Sequence, residues 1–481
     1  MPPESRSPAN SLVVTGVLTA VVYLLVCVFY RNGPQVYSRT ERELFAWFFC
    51  ISLLLLFWRG YQQVNRADKP PLRIIIYFAA VFIVFAFFTV PFHSTDVFGY
   101  INRGWQQVRY GQNPYVHPLS EVPNWQTDPM IREHWIYNPN PYGFLFTLLA
   151  RLLARLSGGN WWATLAMFKA VNVAAFAAIA WLLWRAANRV SYIKPALALY
   201  LFLWSPLILL HHIANGHNDL LVGLFVLLAG YLAITEKYFW IVPALIAATL
   251  LKFAPLTLLP LALFLVIKKA GWKTAILSSL VGALITIAVS YPYLKDWRLL
   301  KLADMQDNAT LIDNSLHSFL IHIFEALARV IKSLAPLHPL VNSAIKFALR
   351  TGLVIFLLYQ WLKVPRNFTA KLFNEKTALI LFVLICVASS KFNAWYMGMI
   401  LPAALLLEDD HWLRRLVVLI SATELLSLTF FKQAYIINYF ALILVPTWMV
   451  WKQTRSRAQM AQPEAAAGVA AGAGASPPSS P

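Results

Sequence analysis

Residues 91–105, PFHSTDVFGYINRGW, place an acid, Asp96, where a long apolar run over 72–92 ends. A carboxylate at the edge of hydrocarbon is either an interface charge or a reactive group serving something held in the membrane. In the second role it takes a proton from a hydroxyl as that oxygen attacks another centre. Ser94 or Thr95 can cap a helix that starts at Asp96. Val97, Tyr100, Ile101, Trp105 and Val108 then share one stripe at helical spacing, and Asn102, Arg103, Gln106 and Arg109 face elsewhere. The spacing predicts a helix lying in the interface with Asp96 in its first turn, where the helix dipole favours the ionised carboxylate. Taken alone, Asp96 reads as a helix cap.

Four further clusters could carry chemistry. HHIANGHNDLL, residues 211–221, joins two apolar runs by a short turn that Gly216 permits. His217, Asn218 and Asp219 crowd the start of the following helix, where backbone N–H groups attract anions. A polar turn capped by Asn218 or Asp219 is the plainer alternative, set against His211, His212 and His217 within one short segment. Lys252 lies in TLLKFAPLTLLP, where a cation is costly unless paired or near water. It either meets a phosphate or snorkels to the headgroups. NSLHSF, residues 314–319, offers His317. SSKFNAWY, residues 389–396, places Lys391 and the Trp395–Tyr396 pair at a boundary, where an aromatic belt alone would explain the pair.

The elements that must position these groups follow from composition. At 59% hydrophobic and 13% charged, a chain of 481 residues lacks the charge to cover a water-facing surface, so it is read as a polytopic membrane protein. Backbone groups in lipid must pair within their own segment, and the apolar runs do not alternate as barrel strands do, so the expected fold is all-α. Apolar runs near 11–30, 43–61, 72–92, 161–184, 195–213, 217–235, 238–251, 253–268, 273–292, 340–362, 376–390, 394–408, 411–430 and 434–451 suggest about 14 crossings, several of them short. The first run lacks a small-x-small cleavage site and is read as a retained anchor.

The net charge of +19 does not require nucleic acid, because cationic clusters recur between apolar runs as cytoplasmic loops demand. With the N-terminus inside, 59–73, 185–194, 268–273, 363–371, 414–415 and 452–457 fall on the cytoplasmic side, at the cost of Arg31, Arg39 and Arg42 outside. This scheme makes 142–156, with Arg151 and Arg155, an interfacial or re-entrant helix. It gathers His93, His117, His134, His211, His212, His217, His317 and His322 on the outer face with Asp96, Glu133, Asp219 and Lys391.

The expected organisation is a short cytoplasmic N-terminus, 1–10, one membrane domain, 11–455, and a disordered cytoplasmic Ala/Gly/Pro/Ser tail, 456–481. Two long outer loops, 93–141 and 293–315, interrupt the domain, the second followed by an amphipathic stretch over 316–335. Cys27, Cys50 and Cys386 sit inside apolar runs without disulfide or metal spacing. No Walker loop, Rossmann glycine pattern, Asp-x-Asp or metal-ligand spacing is present, so no metal or cofactor is expected. An outer-face enzyme lacks nucleotide donors, so its activated substrate would arrive on a lipid.

DVFGY at 96–100, Arg103-Gly104, NPY at 113–115, Tyr142-Gly143, NGHND at 215–219, KFAP at 252–255 and Trp395-Tyr396 form an ordered set over roughly residues 70–450. The set resembles the GT-C superfamily of integral-membrane glycosyltransferases, and most of all bacterial polyprenol-phosphate-mannose-dependent α-mannosyltransferases, including the α-1,6-mannan-synthesising enzymes. In that family the acid of the first large outer loop is the catalytic base, which the resemblance assigns to Asp96. It offers His217, Lys252, His317 and Lys391 as ligands of the donor phosphate. It offers Tyr100, Arg103, Tyr142, Asn218, Asp219, Trp395 and Tyr396 as substrate-binding groups. The pattern departs at Phe144, where family members often carry Pro, and the match around His317 is short.

The resemblance implies inverting transfer of a hexose, mannose being the lead, from a polyprenyl-phosphate donor to a glycan or glycolipid acceptor. The partners are then these two substrates and membrane lipid, with no nucleic acid. A polyprenyl-linked glycan ligase and a lipid-sugar flippase remain open alternatives. Polar groups gathered on one face favour an enzyme over a transporter, which more often lines a path across the bilayer.

Overall fold

The computed structural model describes residues 8–294, 314–428 and 435–456. Most of the second outer loop (295–313), the tail beyond Ser456 and residues 1–7 of the expected N-terminal segment lie outside the described residues. The described chain is all-helical, without a strand. Its helices are α1 (Pro8–Val36), α2 (Arg39–Arg66), α3 (Leu72–Phe88), α4 (Asp96–Arg109), α5 (Phe144–Leu156), α6 (Trp161–Ala187), α7 (Pro195–Leu203), α8 (Asp219–Ile234), α9 (Ile241–Leu251), α10 (Leu259–Ser290), α11 (Leu316–Val330), α12 (His338–Leu362), α13 (Ala370–Phe382), α14 (Met397–Ala404), α15 (Trp412–Thr423) and α16 (Tyr435–Tyr439).

Among the described residues, six helical segments are long and apolar enough to cross a membrane, namely Ala9–Arg31, Thr40–Arg66, Trp161–Ala187, Pro195–Ala214, Ala254–Ser290 and Lys332–Leu362. Four shorter apolar helices accompany them: Leu72–Phe88, Asp219–Ile234, Tyr238–Leu251 and Ala394–Ala404. The chain is thus a helical membrane protein, and the expected count of about 14 crossings is not confirmed by these lengths. The run over 376–390 leaves α13 through a wide turn at Val383–Ala388, and α10 is interrupted at Gly271 (φ +83°) beside the lysines of 268–273.

The segment Pro195–Ala214 is almost wholly buried and forms the centre of the packing, whereas Lys332–Leu362 shows nearly all its surface outward. The centre ends in a wide-turn stretch, Leu209–Ala214, carrying His211 and His212. Small residues let the neighbouring backbones close on it. A Cβ at Gly223 on α8 would clash with the Gly398 carbonyl oxygen on α14, and one at Gly398 would clash with His212 Nε2. Close approach through small residues is the usual way helices associate where lipid removes the hydrophobic drive.

α4 departs from expectation on its polar side. Val97, Tyr100 and Ile101 are buried as the stripe required, but Asn102, Arg103, Gln106 and Gln107 are buried as well, the first three because the 111–141 segment covers them and Gln107 against α5 and Tyr293. The cap differs too. Ser94 Oγ accepts the Asp96 N–H at 3.2 Å, while the Thr95 hydroxyl turns to His134. α4 lies on α5, where Gly104 is needed because a Cβ there would clash with the Ala150 carbonyl. At 13 residues, α5 is too short to cross the hydrocarbon, and Arg151 and Arg155 stay exposed on it.

Gly223→Leu should lower the thermal midpoint of the detergent-solubilised protein, an overpacking cost of about 1–3 kcal/mol. Gly352→Ala, where an added Cβ meets nothing, should leave the midpoint unchanged. Thermal unfolding of both variants checks the contrast.

Candidate active site

Asp96 opens α4 with its side chain one-fifth exposed. Its Oδ1 lies 3.4 Å from His134 Nε2 and its Oδ2 3.5 Å from His217 Nδ1. Burial alone would raise the carboxyl, but the two imidazoles outweigh it and hold Asp96 below the ordinary carboxylate range, so it is ionised at neutral pH.

His217 reaches Asp96 because the 214–218 turn is fastened to the segment leading into α4. Asn215 Oδ1 accepts the N–H groups of Phe92 (2.8 Å) and His93 (3.0 Å), and its Nδ2 donates to Leu210 O at 2.8 Å. Gly216 adopts φ +78°, in the left-handed region, and sits so close to Val97 that a Cβ would lie 3.1 Å from its methyl. The His217 ring, fully buried, stacks on Trp395 at 4.0 Å between centroids with an 11° tilt. His212 Nδ1 lies 3.1 Å from the His217 carbonyl oxygen. His211 stands 5.3 Å from His93 and 5.8 Å from Trp395. Among the described residues no group of three His, Cys, Asp or Glu is arranged to hold a metal ion.

A second cation–carboxylate pair closes the same cluster. Lys252 Nζ lies 2.6 Å from Asp219 Oδ1 and 4.2 Å above the Tyr396 ring. Burial would lower the ammonium, yet the Asp219 carboxylate wins and holds Lys252 above the ordinary lysine range. Tyr142 is brought here by Gly143, whose N–H donates to Leu251 O at 3.1 Å and whose missing Cβ avoids the Leu250 carbonyl. Tyr142 meets Tyr100 edge to face at 5.0 Å, and the Tyr100 hydroxyl donates to Asn218 Oδ1 at 3.3 Å. Burial pushes both phenols well above their usual range, so they act as donors.

The fold therefore brings together Asp96, Tyr100, Tyr142, His217, Asn218, Asp219, Lys252, Trp395 and Tyr396. Lys391 joins from the side, its ammonium 5.5 Å from the centre of the Trp135 ring, next to His134. Arg103 and His317 have other partners. The Arg103 guanidinium donates to the carbonyls of Trp135 (3.0 Å) and Asn138 and to Gln106 Oε1 (3.2 Å), a loop clamp, and burial pulls it down to about 10. His317 Nε2 lies 2.7 Å from Asn342 Oδ1, between α11 and α12. Sequence reasoning placed His134 on the outer face without assigning it to the site, took Asn102 only as part of the face of α4 opposite the apolar stripe, and offered Trp135 for sugar stacking or interface anchoring. No local spacing marks them.

Residues 12–268 match the family described as alpha-(1->6)-mannopyranosyltransferase, N-terminal domain. The chain belongs to this family. The family match includes Asp96, His217, Asp219 and Lys252 and ends before His317, Lys391, Trp395 and Tyr396. Alpha-(1->6)-mannopyranosyltransferase A of Corynebacterium glutamicum is 28% identical over 190 residues, 39% of this chain and 36% of that protein. Alpha-(1->6)-mannopyranosyltransferase A of Mycobacterium tuberculosis is 27% identical over 176 residues, 36% of this chain and 33% of that protein. The matched segments thus span about a third of these relatives' own length. No solved structure matches the chain.

Asp219 is fully buried and its Oδ2 has no hydrogen-bond partner, so Lys252 is the group that compensates it. Lys252→Met should therefore cost about 3–5 kcal/mol by leaving a buried carboxylate unpaired. Asp219→Asn should cost less, and the double variant should recover part of the loss. Chemical denaturation of the three variants reads the cycle.

Proposed function

We propose that this protein transfers a hexosyl residue, with mannose as the lead, from a polyprenyl-phosphate donor to a glycan or glycolipid acceptor at the extracytoplasmic face. The observation that carries the reading is an ionised, part-exposed Asp96 between two imidazoles, in one cluster with Lys252 and an aromatic wall of Tyr100, Tyr142, Trp395 and Tyr396. Family membership supports the mannosyl assignment. The placement outside rests on the recurring basic loops between apolar runs.

Asp96 accepts the proton of the acceptor hydroxyl as the oxygen forms its bond to the anomeric carbon. The bond from that carbon to the phosphate oxygen breaks, its electron pair leaves with the polyprenyl phosphate, and the anomeric configuration inverts. Negative charge grows on the departing phosphate, so a fixed cation stabilises the transition state more than the ground state. Lys252 supplies that charge, shared with Asp219, which keeps the ammonium in place between turnovers. His217 and Lys391 are the further candidates for the phosphate. Tyr100 and Tyr142 supply hydroxyls, and Trp395 supplies a face for the sugar. The prenyl chain lies among the apolar helices.

Asp96→Asn should reduce turnover with polyprenyl-phosphate mannose in proteoliposomes by roughly 100- to 10,000-fold, the range for a positioned general base. Its thermal midpoint should stay near that of the parent. Analysis of the product's anomeric configuration reports inversion. Turnover at the parental rate in the variant would overturn the base assignment, and lipid movement without a glycosylated product would overturn the transferase reading.

A further inference from the structure

One face of α4 is devoted to bringing a loop histidine onto Asp96. Asp96, Gly99, Asn102 and Arg103 recur at helical spacing along that face. Asn102 holds Arg132 by both backbone groups: its Nδ2 donates to the carbonyl at 2.7 Å and its Oδ1 accepts the N–H at 3.0 Å. Arg103 holds the carbonyls of Trp135 and Asn138. His134 lies between these two clamps. Trp135 adopts φ +49°, a left-handed conformation that a bulky side chain takes only under constraint, and the Arg103 bond to its carbonyl supplies one. Gly99 then makes room for the ring, since a Cβ there would lie 2.9 Å from His134 Cδ2. Thr95, next to Asp96, takes the far side of the imidazole, Oγ1 to Nδ1 at 2.6 Å. The ring is thus gripped at both nitrogens by the two residues that open α4.

We propose that His134 is a positioning residue for sugar transfer, delivered by the Gly99–Asn102–Arg103 face of α4 to fix the orientation and ionised state of the Asp96 carboxylate. The proposal rests on Asp96 being the base. With Oδ1 against His134 and Oδ2 against His217, the carboxylate is restrained from turning, and its remaining lone pairs keep a preferred direction. Fixing a reacting group in this way contributes to rate without contributing to donor binding. The two histidines differ in surroundings. His217 is sealed beneath Trp395, whereas the His134 side chain is 12% exposed and comes from the loop. The groups around Asp96 are His134 from the loop, His217 and Asp219 from the 214–219 turn, Lys252 from the α9–α10 connection, and Tyr142 and Tyr396. Arg132, Glu133 and Lys391 lie beside His134 on the loop side. Removing the imidazole removes a partner of the ionised carboxylate, so the carboxyl rises and the acid limb of the pH–rate profile moves to higher pH.

The test is steady-state kinetics of the full chain in proteoliposomes with polyprenyl-phosphate mannose, using His134→Ala, His134→Gln and Gly99→Ala beside Asp96→Asn. His134→Ala should lower kcat by roughly 10- to 100-fold, the scale of a lost positioning contact, with KM for the donor little changed. Its acid limb should move up. His134→Gln, whose amide still donates to the carboxylate, should recover a large part of kcat. Gly99→Ala should reproduce the loss while the imidazole is still present. Parental kcat and an unmoved acid limb in His134→Ala, or a rise confined to KM, would overturn the proposal. If Asp96→Asn is inactive while His134→Ala turns over normally, the positioning role fails and the base reading stands. If Asp96→Asn turns over normally, the base reading itself has failed. Thermal midpoints identify any variant that fails to fold, and His134→Gln, which preserves size and hydrogen bonding, then decides.

Discussion

The Asn215 amide joins the two segments on which the site depends. One end accepts the backbone N–H groups of Phe92 and His93, and the other donates to Leu210. Asn215 is fully buried, so losing its side chain would strand these groups where water cannot replace it, at about 1–3 kcal/mol for each unsatisfied group. Those two N–H groups belong to the non-helical connection between α3 and α4, which has no ladder or helix of its own to satisfy them. The side chain fixes the height of Asp96 relative to the 214–218 turn, and Gly216 against Val97 fixes its lateral distance. Contact between Asp96 and His217 is a consequence of this joint rather than its cause. A 3.5 Å approach between an ionised carboxylate and an imidazole is too weak to hold two chain segments by itself.

The same connection is secured by a buried lysine. Lys169 on α6 donates its ammonium to the carbonyls of Phe87 and Thr89, at the end of α3. Helix C-termini leave carbonyls without intrahelical partners, and the lysine amine satisfies two of them. Asn172, one turn further along α6, donates to the His212 carbonyl at 3.0 Å. A single face of α6 thus ties both the end of α3 and the 209–214 stretch. The connection that leads to the acid and the turn that carries the histidine are both anchored to one helix.

Asp96 was legible because a charge ends an apolar run there and a helical stripe follows it. Lys252 was legible as a lone cation among leucines, and His217–Asp219 as a density of polar groups in a turn too short to be a domain. These are signals of composition and period, which survive in the sequence. His134 left no such signal. Its role depends on a loop that has no periodicity, on Asn102 and Arg103, and on the absence of a side chain at Gly99. Asn102 and Arg103 read only as residues facing away from the apolar stripe of α4, with Arg103 offered by the family resemblance as a substrate-binding group. They are buried because 111–141 folds back over them, a tertiary fact that a helical period cannot encode. The span count is not confirmed by helix lengths. The wide turn at Val383–Ala388 leaves hydropathy unchanged while ending a helix, and the break at Gly271 falls between the runs read at 253–268 and 273–292.

The two ends of the bundle treat their charges differently. Around 190–194 and 408–415, Lys371 meets Glu408 at 2.5 Å, Arg414 meets Asp409 at 2.6 Å, and Asp409 also accepts the Lys194 N–H at 2.9 Å. Carboxylates there face cations directly and tie loops to one another. In the 211–219 turn, by contrast, both His211 nitrogens, His212 Nε2, His217 Nε2, Asn218 Nδ2 and Asp219 Oδ2 are buried without a hydrogen-bond partner from the protein. Burying such groups costs free energy that the surrounding leucines do not return. The 211–219 turn thus gathers several such atoms beside an ionised acid and a lysine, although others, Asp409 Oδ1 and Arg414 Nη2 among them, lie elsewhere in the fold. Strained and under-satisfied positions of this kind are expected where function rather than stability sets the residue types.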